Sequence, residues 1–161
     1  MRPRFLVDSM LGSLSRWLRI TGFDAEYRRD AADEDLIDEA ATTGRVLLTR
    51  DRDLSARAAK RGVQVVLVEG EHDVEQLGMV ASALNLKLEV SESRCPKCNG
   101  GLEKAEKGMI SEHVPEASLN AFDEFWVCQE CGSIFWRGSH WDQIRSTLEK
   151  AERMGARAKS L

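Results

Sequence analysis

Four cysteines and a set of spaced aspartates hold most of the chemistry in this 161-residue chain. The cysteines form two C-x2-C units, CPKC at 95–98 and CQEC at 128–131. Two intervening residues let both thiolates of a pair face one ion across a tight turn, and Gly100 and Gly132 follow as turn residues. Cys95, Cys98, Cys128 and Cys131 can together close a tetrahedral Zn²⁺ shell with no open position, which makes the site structural. Two disulfides or four unrelated buried thiols are the competing readings. The paired spacing and a reducing compartment favour zinc. His113 and His140 are not needed once four thiolates serve. The 29 residues between the pairs exceed ordinary finger spacing and predict a ribbon with a long hairpin loop.

The acids are more ambiguous. Asp8 closes the apolar run RFLVD, Asp51 follows VLLTR, and Asp33, Glu34 and Asp35 open DEDLIDEA, with Asp53 two residues beyond Asp51. Close carboxylates repel one another, and a hard cation such as Mg²⁺ or Mn²⁺ resolves the conflict. Capping is the plainer reading, because Asp is among the best N-cap residues and each acid lies near a helix start. Asp53 can equally pair with Arg50 or Arg57. Capping alone does not account for Asp8 and Asp51 each ending an apolar strand with a third acid at the helix between them. Asp8 and Asp51 are therefore the first candidates, Asp33 the next and Asp53 a possible fourth. Arg16 and Arg19, close on one helix, can contact phosphates near these acids or stand as solvated surface charges.

Positioning these residues requires a parallel sheet. Strands are expected at 4–8, 25–28, 46–49 and 63–70, each followed by an amphipathic run. The first helix has Met10, Leu14, Trp17 and Leu18 on its apolar face and ends at Gly22; Gly44 and Gly62 end the next two. Strands apolar on both faces, alternating with helices, predict an α/β fold of βαβ units with right-handed crossovers. Ligands bind such sheets beyond the carboxyl ends of the strands, where the acids fall. KLEVS at 87–91 reads as an edge strand or a linker. From Cys95 the helical period is lost and aromatics gather, so 95–140 reads as a small β-rich unit, with a helix from about Trp141 to Met154. The division expected is 1–92 for the first domain and 93–161 for the ribbon and C-terminal helix.

Composition excludes several classes. With 23 Lys and Arg against 27 Asp and Glu, the net charge of −4 argues against wrapping nucleic acid by bulk positive charge. No apolar run is long enough to span a bilayer, and MRPRFLVDSM does not read as a secretory leader, so a cytoplasmic protein without membrane partners is expected. A phosphatase of the haloacid dehalogenase type needs an acid where Met10 stands. A receiver domain needs an adjacent acidic pair and a lysine beyond a later strand, and VVLVEG has none. There is no Gly-rich phosphate loop and no G-x-S-x-G. His72 reads as a surface residue.

The stretches RFLVDSMLGSLSRWLRITGFDAEY, DEDLIDEA, GRVLLTRDRDL and CPKC … CQECGSIFWRGSHWDQI together resemble the PIN-like ribonuclease family named for the C-terminal domain of the nematode Mutator-seven exonuclease. The resemblance runs from Phe5 to about Ile144. It implies a PIN-like α/β/α three-layer domain followed by a zinc ribbon, and cleavage of RNA by acids that hold Mg²⁺ or Mn²⁺. Carried over, those acids are Asp8, Asp33 and Asp51, with Asp53 often acidic as well; Glu69, Glu71 or Asp73 can supply a further one. Arg16 and Arg19 match the family's first-helix arginines. The expectation is a metal-dependent ribonuclease leaving 3′-hydroxyl and 5′-phosphate ends. Its rival is a non-catalytic RNA- or ribosome-associated module retaining the fold. Trp136 and Trp141 can stack bases, or seal the ribbon against the first domain.

Overall fold

The computed structural model describes residues 2–90 and 92–160. Four short strands, β1 (Phe5–Val7), β2 (Ala25–Tyr27), β3 (Val46–Thr49) and β4 (Val65–Leu67), form a parallel sheet in the order β2-β1-β3-β4. The helices α1 (Gly12–Ile20), α2 (Asp33–Thr43), α3 (Arg52–Lys60) and α4 (Asp73–Leu84) alternate with them. Strand residues divide between two cores by the period-two alternation of a pleated strand. Phe5, Val7, Val46 and Leu48 pack with α1 and α4 on one face, while Leu6 and Leu47 pack with Leu36, Ile37 and Leu54 of α2 and α3 on the other. This is a three-layer α/β/α arrangement, as expected.

The chain leaves β1 for β2 on one side and returns to β3 on the other. The topological switch point therefore lies between β1 and β3, where an open parallel sheet leaves a crevice at its carboxyl edge.

Helix ends follow the expected glycines. Gly22 has φ +87°, with Phe23 N–H bonding Leu18 O at 2.9 Å and Gly22 N–H bonding Arg19 O at 3.0 Å, a Schellman closure. A Cβ at Gly22 would also meet the Glu92 carbonyl at 2.7 Å. Met10 departs from the sequence reading. It sits in a 3-10 turn, Ser9–Leu11, that shifts the helical phase, so its side chain is exposed and Leu11 takes the core position. KLEV (87–90) forms no strand, and Ser91 lies outside the described residues.

The second unit is an antiparallel sheet of β5 (Leu102–Ala105), β6 (Phe125–Cys128) and β7 (Ile134–Trp136), in that order. The expected long loop between the cysteine pairs contains two short helices, α5 (Lys107–Ile110) and α6 (Glu116–Ala121). Ile110 at the end of α5 and Val114, between the two helices, pack on Phe125. Helix α7 (Trp141–Ser160) runs further than expected and returns to the first unit: Leu148 and Ala151 join the core beneath α4. The two helices meet backbone to backbone through Gly78 and Gly155, since a Cβ on Gly155 would lie 2.6 Å from Gly78 O. No helix of the described residues is long and apolar enough to cross a membrane.

Candidate active site and metal centre

Asp8 and Asp51 meet at the switch point. Val7 pairs with Leu48, and Asp8 N–H continues the ladder to Leu48 O at 3.0 Å, so the residue after β1 is held beside the end of β3. Thr49 then joins the two acids. Its buried Oγ1 donates to Asp8 Oδ2 at 2.8 Å and accepts from Asp51 N–H at 3.0 Å. Asp8 Oδ1 takes the Ser9 N–H at 2.7 Å, and Asp51 Oδ1 caps α3 through Asp53 N–H and Leu54 N–H at 2.9 and 3.1 Å. Both acids are thus helix caps and strand-end acids at once, and the two sequence readings are not exclusive. Asp51 Oδ2 accepts no hydrogen bond from the described residues and remains available to a ligand. Thr49 carried no sequence signal, because a β-branched residue in VLLT reads as one more strand position.

Asp33 and Asp53 stand apart from that pair. Both turn to Arg57 on α3, at 3.2 and 3.6 Å, and Glu34 joins them. The hydrogen bond that Arg57 donates to Glu34, then the nearby carboxylates, raise the Arg57 pKa above its ordinary value despite opposing desolvation. Among the described residues, the cysteines are the group of three or more ligand-bearing side chains whose donor atoms lie within 4.8 Å of one another; Asp8, Asp33 and Asp51 are not drawn so close. A further acid does reach this edge. Asp73, at the start of α4, accepts from Ser13 Oγ at 2.7 Å and Trp17 Nε1 at 3.1 Å. Arg50 bonds the Gly70 carbonyl and ties down the loop before it.

The two arginines of the first helix separate. Arg16 is exposed and pairs with no acid among the described residues. Arg19 corrects the sequence reading: it is 6% exposed and gives Nε to Ala25 O and Nη1 to Pro96 O, both at 2.9 Å. Burial lowers its pKa. It stitches α1 to β2 and to the first cysteine turn, and is not free for a phosphate.

The four cysteines converge as their spacing predicts. Sγ of Cys95 lies 3.7 Å from Cys131, and Cys98 lies 3.4 Å from Cys128. A tetrahedron with zinc–sulfur bonds of about 2.3 Å has edges of about 3.8 Å, whereas a disulfide needs about 2.05 Å. Gly100 is required beside them, because a Cβ there would meet Cys128 Sγ at 2.9 Å. Glu130 and Cys131 N–H point at Cys128 Sγ from 3.4 and 3.5 Å, donors that favour a thiolate. Without an ion the thiols diverge: burial pushes Cys95 up to about 12, while the Ser133 hydroxyl draws Cys131 down to about 6. The donor set is soft, closed and suited to zinc.

A protein-family model for the Mut7-C RNAse domain matches residues 3–148. The chain belongs to that family. No curated protein and no solved structure gives a match. Membership gives this Mut7-C chain a ribonuclease-type domain with RNA as the implied substrate class, and its match runs from the acidic edge through the four-cysteine centre into α7.

Proposed function

We propose that the chain is a divalent-metal-dependent ribonuclease whose acidic edge is built on Asp8 and Asp51, with Asp33, Asp53 and Asp73 around them. The observation that carries this reading is the Thr49 bridge, which ties the Asp8 carboxylate to the backbone N–H of Asp51 at the switch point of a ribonuclease-family sheet. Their hard oxygen donors suit Mg²⁺ or Mn²⁺, as the cysteines suit Zn²⁺. A divalent ion bound there supplies Lewis acidity toward a phosphate oxygen and a more acidic water. The chain's own part is orientation. Thr49 and the backbone at the α3 N-terminus hold Asp8 and Asp51 in place at the sheet edge, and Arg16 offers a phosphate contact. Zinc at Cys95, Cys98, Cys128 and Cys131 holds the ribbon. The working compartment is the cytoplasm, with protein partners unassigned.

A second reading rests on Arg57, which already neutralises Asp33 and Asp53. An edge closed by its own guanidinium suits a non-catalytic RNA-binding module. Cleavage of a 5′-labelled single-stranded RNA in Mg²⁺ or Mn²⁺, by wild type beside Asp8→Asn and Asp51→Asn, decides between them. Metal-dependent cleavage lost in both variants supports the ribonuclease. RNA binding without cleavage in wild type supports the module.

A further inference from the structure

The ribbon and α7 enclose a cleft of about 650 Å³, at the far end of α1 from the acids. Trp126 and Phe135 are register partners on adjacent strands and share one face of the ribbon sheet, Trp141 and Ile20 of α1 also line the cleft, and Trp136 reaches its edge while its ring packs on Phe125 at the other face. Arg137 is exposed, and its guanidinium lies 5.3 Å from the Trp126 ring centroid and 4.7 Å from that of Trp141. It pairs with no acid among the described residues, so the cleft keeps a positive charge between two indoles. Glu92 is the one acid among the lining residues, which also include Arg94 and His140.

The indole N–H groups of Trp126 and Trp141 bond no acceptor among the described residues and are not sealed from solvent, so they are open to a ligand acceptor, whereas Trp17 Nε1 is satisfied by Asp73. An aromatic cleft that keeps a cation suits a flat ligand with a π-face on an anionic backbone.

Helix α1 connects this cleft to the acidic edge. Ser13, Arg16 and Ile20 share one face at i, i+3 and i+7. Ser13 bonds Asp73 at the acidic end, Ile20 lines the cleft, and unpaired Arg16 lies between them. The nine-residue helix spans about 13 Å.

We propose that the cleft is a nucleobase subsite: it stacks unpaired bases of a single-stranded RNA whose backbone crosses Arg16 on its way to the acids. The inference rests on the ribonuclease reading for its substrate class. It gives that substrate two anchors and a minimum length, since an oligonucleotide too short to reach both ends of α1 loses the stacking contacts.

The test measures binding apart from cleavage. Zinc-loaded full-length Asp8→Asn protein, without Mg²⁺ or Mn²⁺, is titrated into a fluorescein-labelled single-stranded RNA 12-mer and followed by anisotropy. Adding Trp141→Ala or, as a surface change that spares the fold, Arg137→Ala should weaken Kd by about ten-fold, within the range for base stacking on an aromatic. Trp141→Phe should recover most of the affinity, and Arg16→Gln should shallow the salt dependence by about one phosphate contact. Unchanged Kd in both Trp141→Ala and Arg137→Ala overturns the inference even if wild type cleaves RNA. Loss of binding in these variants upholds it even if wild type proves inactive. No RNA binding by the parent protein overturns it and leaves the cleft to a protein partner.

Discussion

Asn99 joins the cysteine turn to the parallel sheet, and its removal should be costly. The residue follows Cys98, adopts φ +70° and is 3% exposed. Its Oδ1 accepts from Ala25 N–H at 3.0 Å and from Arg94 Nε at 3.2 Å, and its Nδ2 donates to Asp24 at 2.7 Å and Glu26 at 3.1 Å. Ala25 is fully buried at the start of β2, so Asn99→Ala strands its N–H, at about 1–3 kcal/mol. The two carboxylates keep Arg45 and Arg28 and are partly solvated, so their lost donors add only about 1 kcal/mol. Alanine at a left-handed φ adds about 1 kcal/mol more. The sum is about 3–5 kcal/mol, a fall in Tm of about 6–20 °C for a chain of this size. Asn99→Gly relieves the backbone component and should fall about 1 kcal/mol short of that loss. Urea unfolding of zinc-replete proteins, with zinc content measured alongside, gives the comparison. An Asn99→Ala protein within 1 kcal/mol of wild type would refute the proposed coupling between ribbon and sheet.

Thr49→Val keeps the shape of a buried position and removes both bonds to the acid pair. It should cost about 2–3 kcal/mol in urea unfolding and abolish most cleavage, whereas Thr49→Ser should retain activity; an active Thr49→Val enzyme would break the link between bridge and chemistry. Chelation of zinc should release the ribbon, seen as exposure of its tryptophans by fluorescence, and re-addition should restore it; chelation with no spectral change would argue against a structural ion. Asp24 supplies a pH dependence. Burial works to raise its pKa, but hydrogen bonds from Arg45 and Asn99 outweigh that and hold it below the usual carboxylate range. A depressed folded value means its stabilisation is complete above the unfolded value near 4 and is lost as pH falls toward the folded one. Asp24→Asn should therefore destabilise at pH 7, with the gap to wild type closing below about pH 4. A gap constant from pH 7 to pH 3 would contradict it.

The parts of the molecule legible in the sequence are those that local chemistry dictates. Apolar runs alternating with amphipathic ones gave the three layers, Gly22 and Gly44 marked helix ends, and two C-x2-C units gave the cysteine centre. The strand-end position of Asp8 and Asp51 located the acidic edge, because parallel topology places every such residue on one side. What stayed hidden depends on partners distant in sequence. Arg19 reads as helix surface until Pro96 O and Ala25 O surround it, and Arg57 reads only as a partner for Asp53 until α2 brings Asp33 and Glu34 to it as well. Met10 was misplaced because a 3-10 turn changes the phase by less than a sequence window resolves. Helices α5 and α6 are too short to show a period, and the docking of α7 on α4 rests on two glycines that carry no side chain to read.

The most direct test of the acidic edge is anomalous diffraction at the manganese edge from crystals equilibrated with Mn²⁺. A manganese peak is expected against Asp8 and Asp51 in the wild-type protein, weakened or lost in Asp8→Asn. Wild-type crystals with no manganese at that edge, or a peak indifferent to Asp8→Asn, would contradict it.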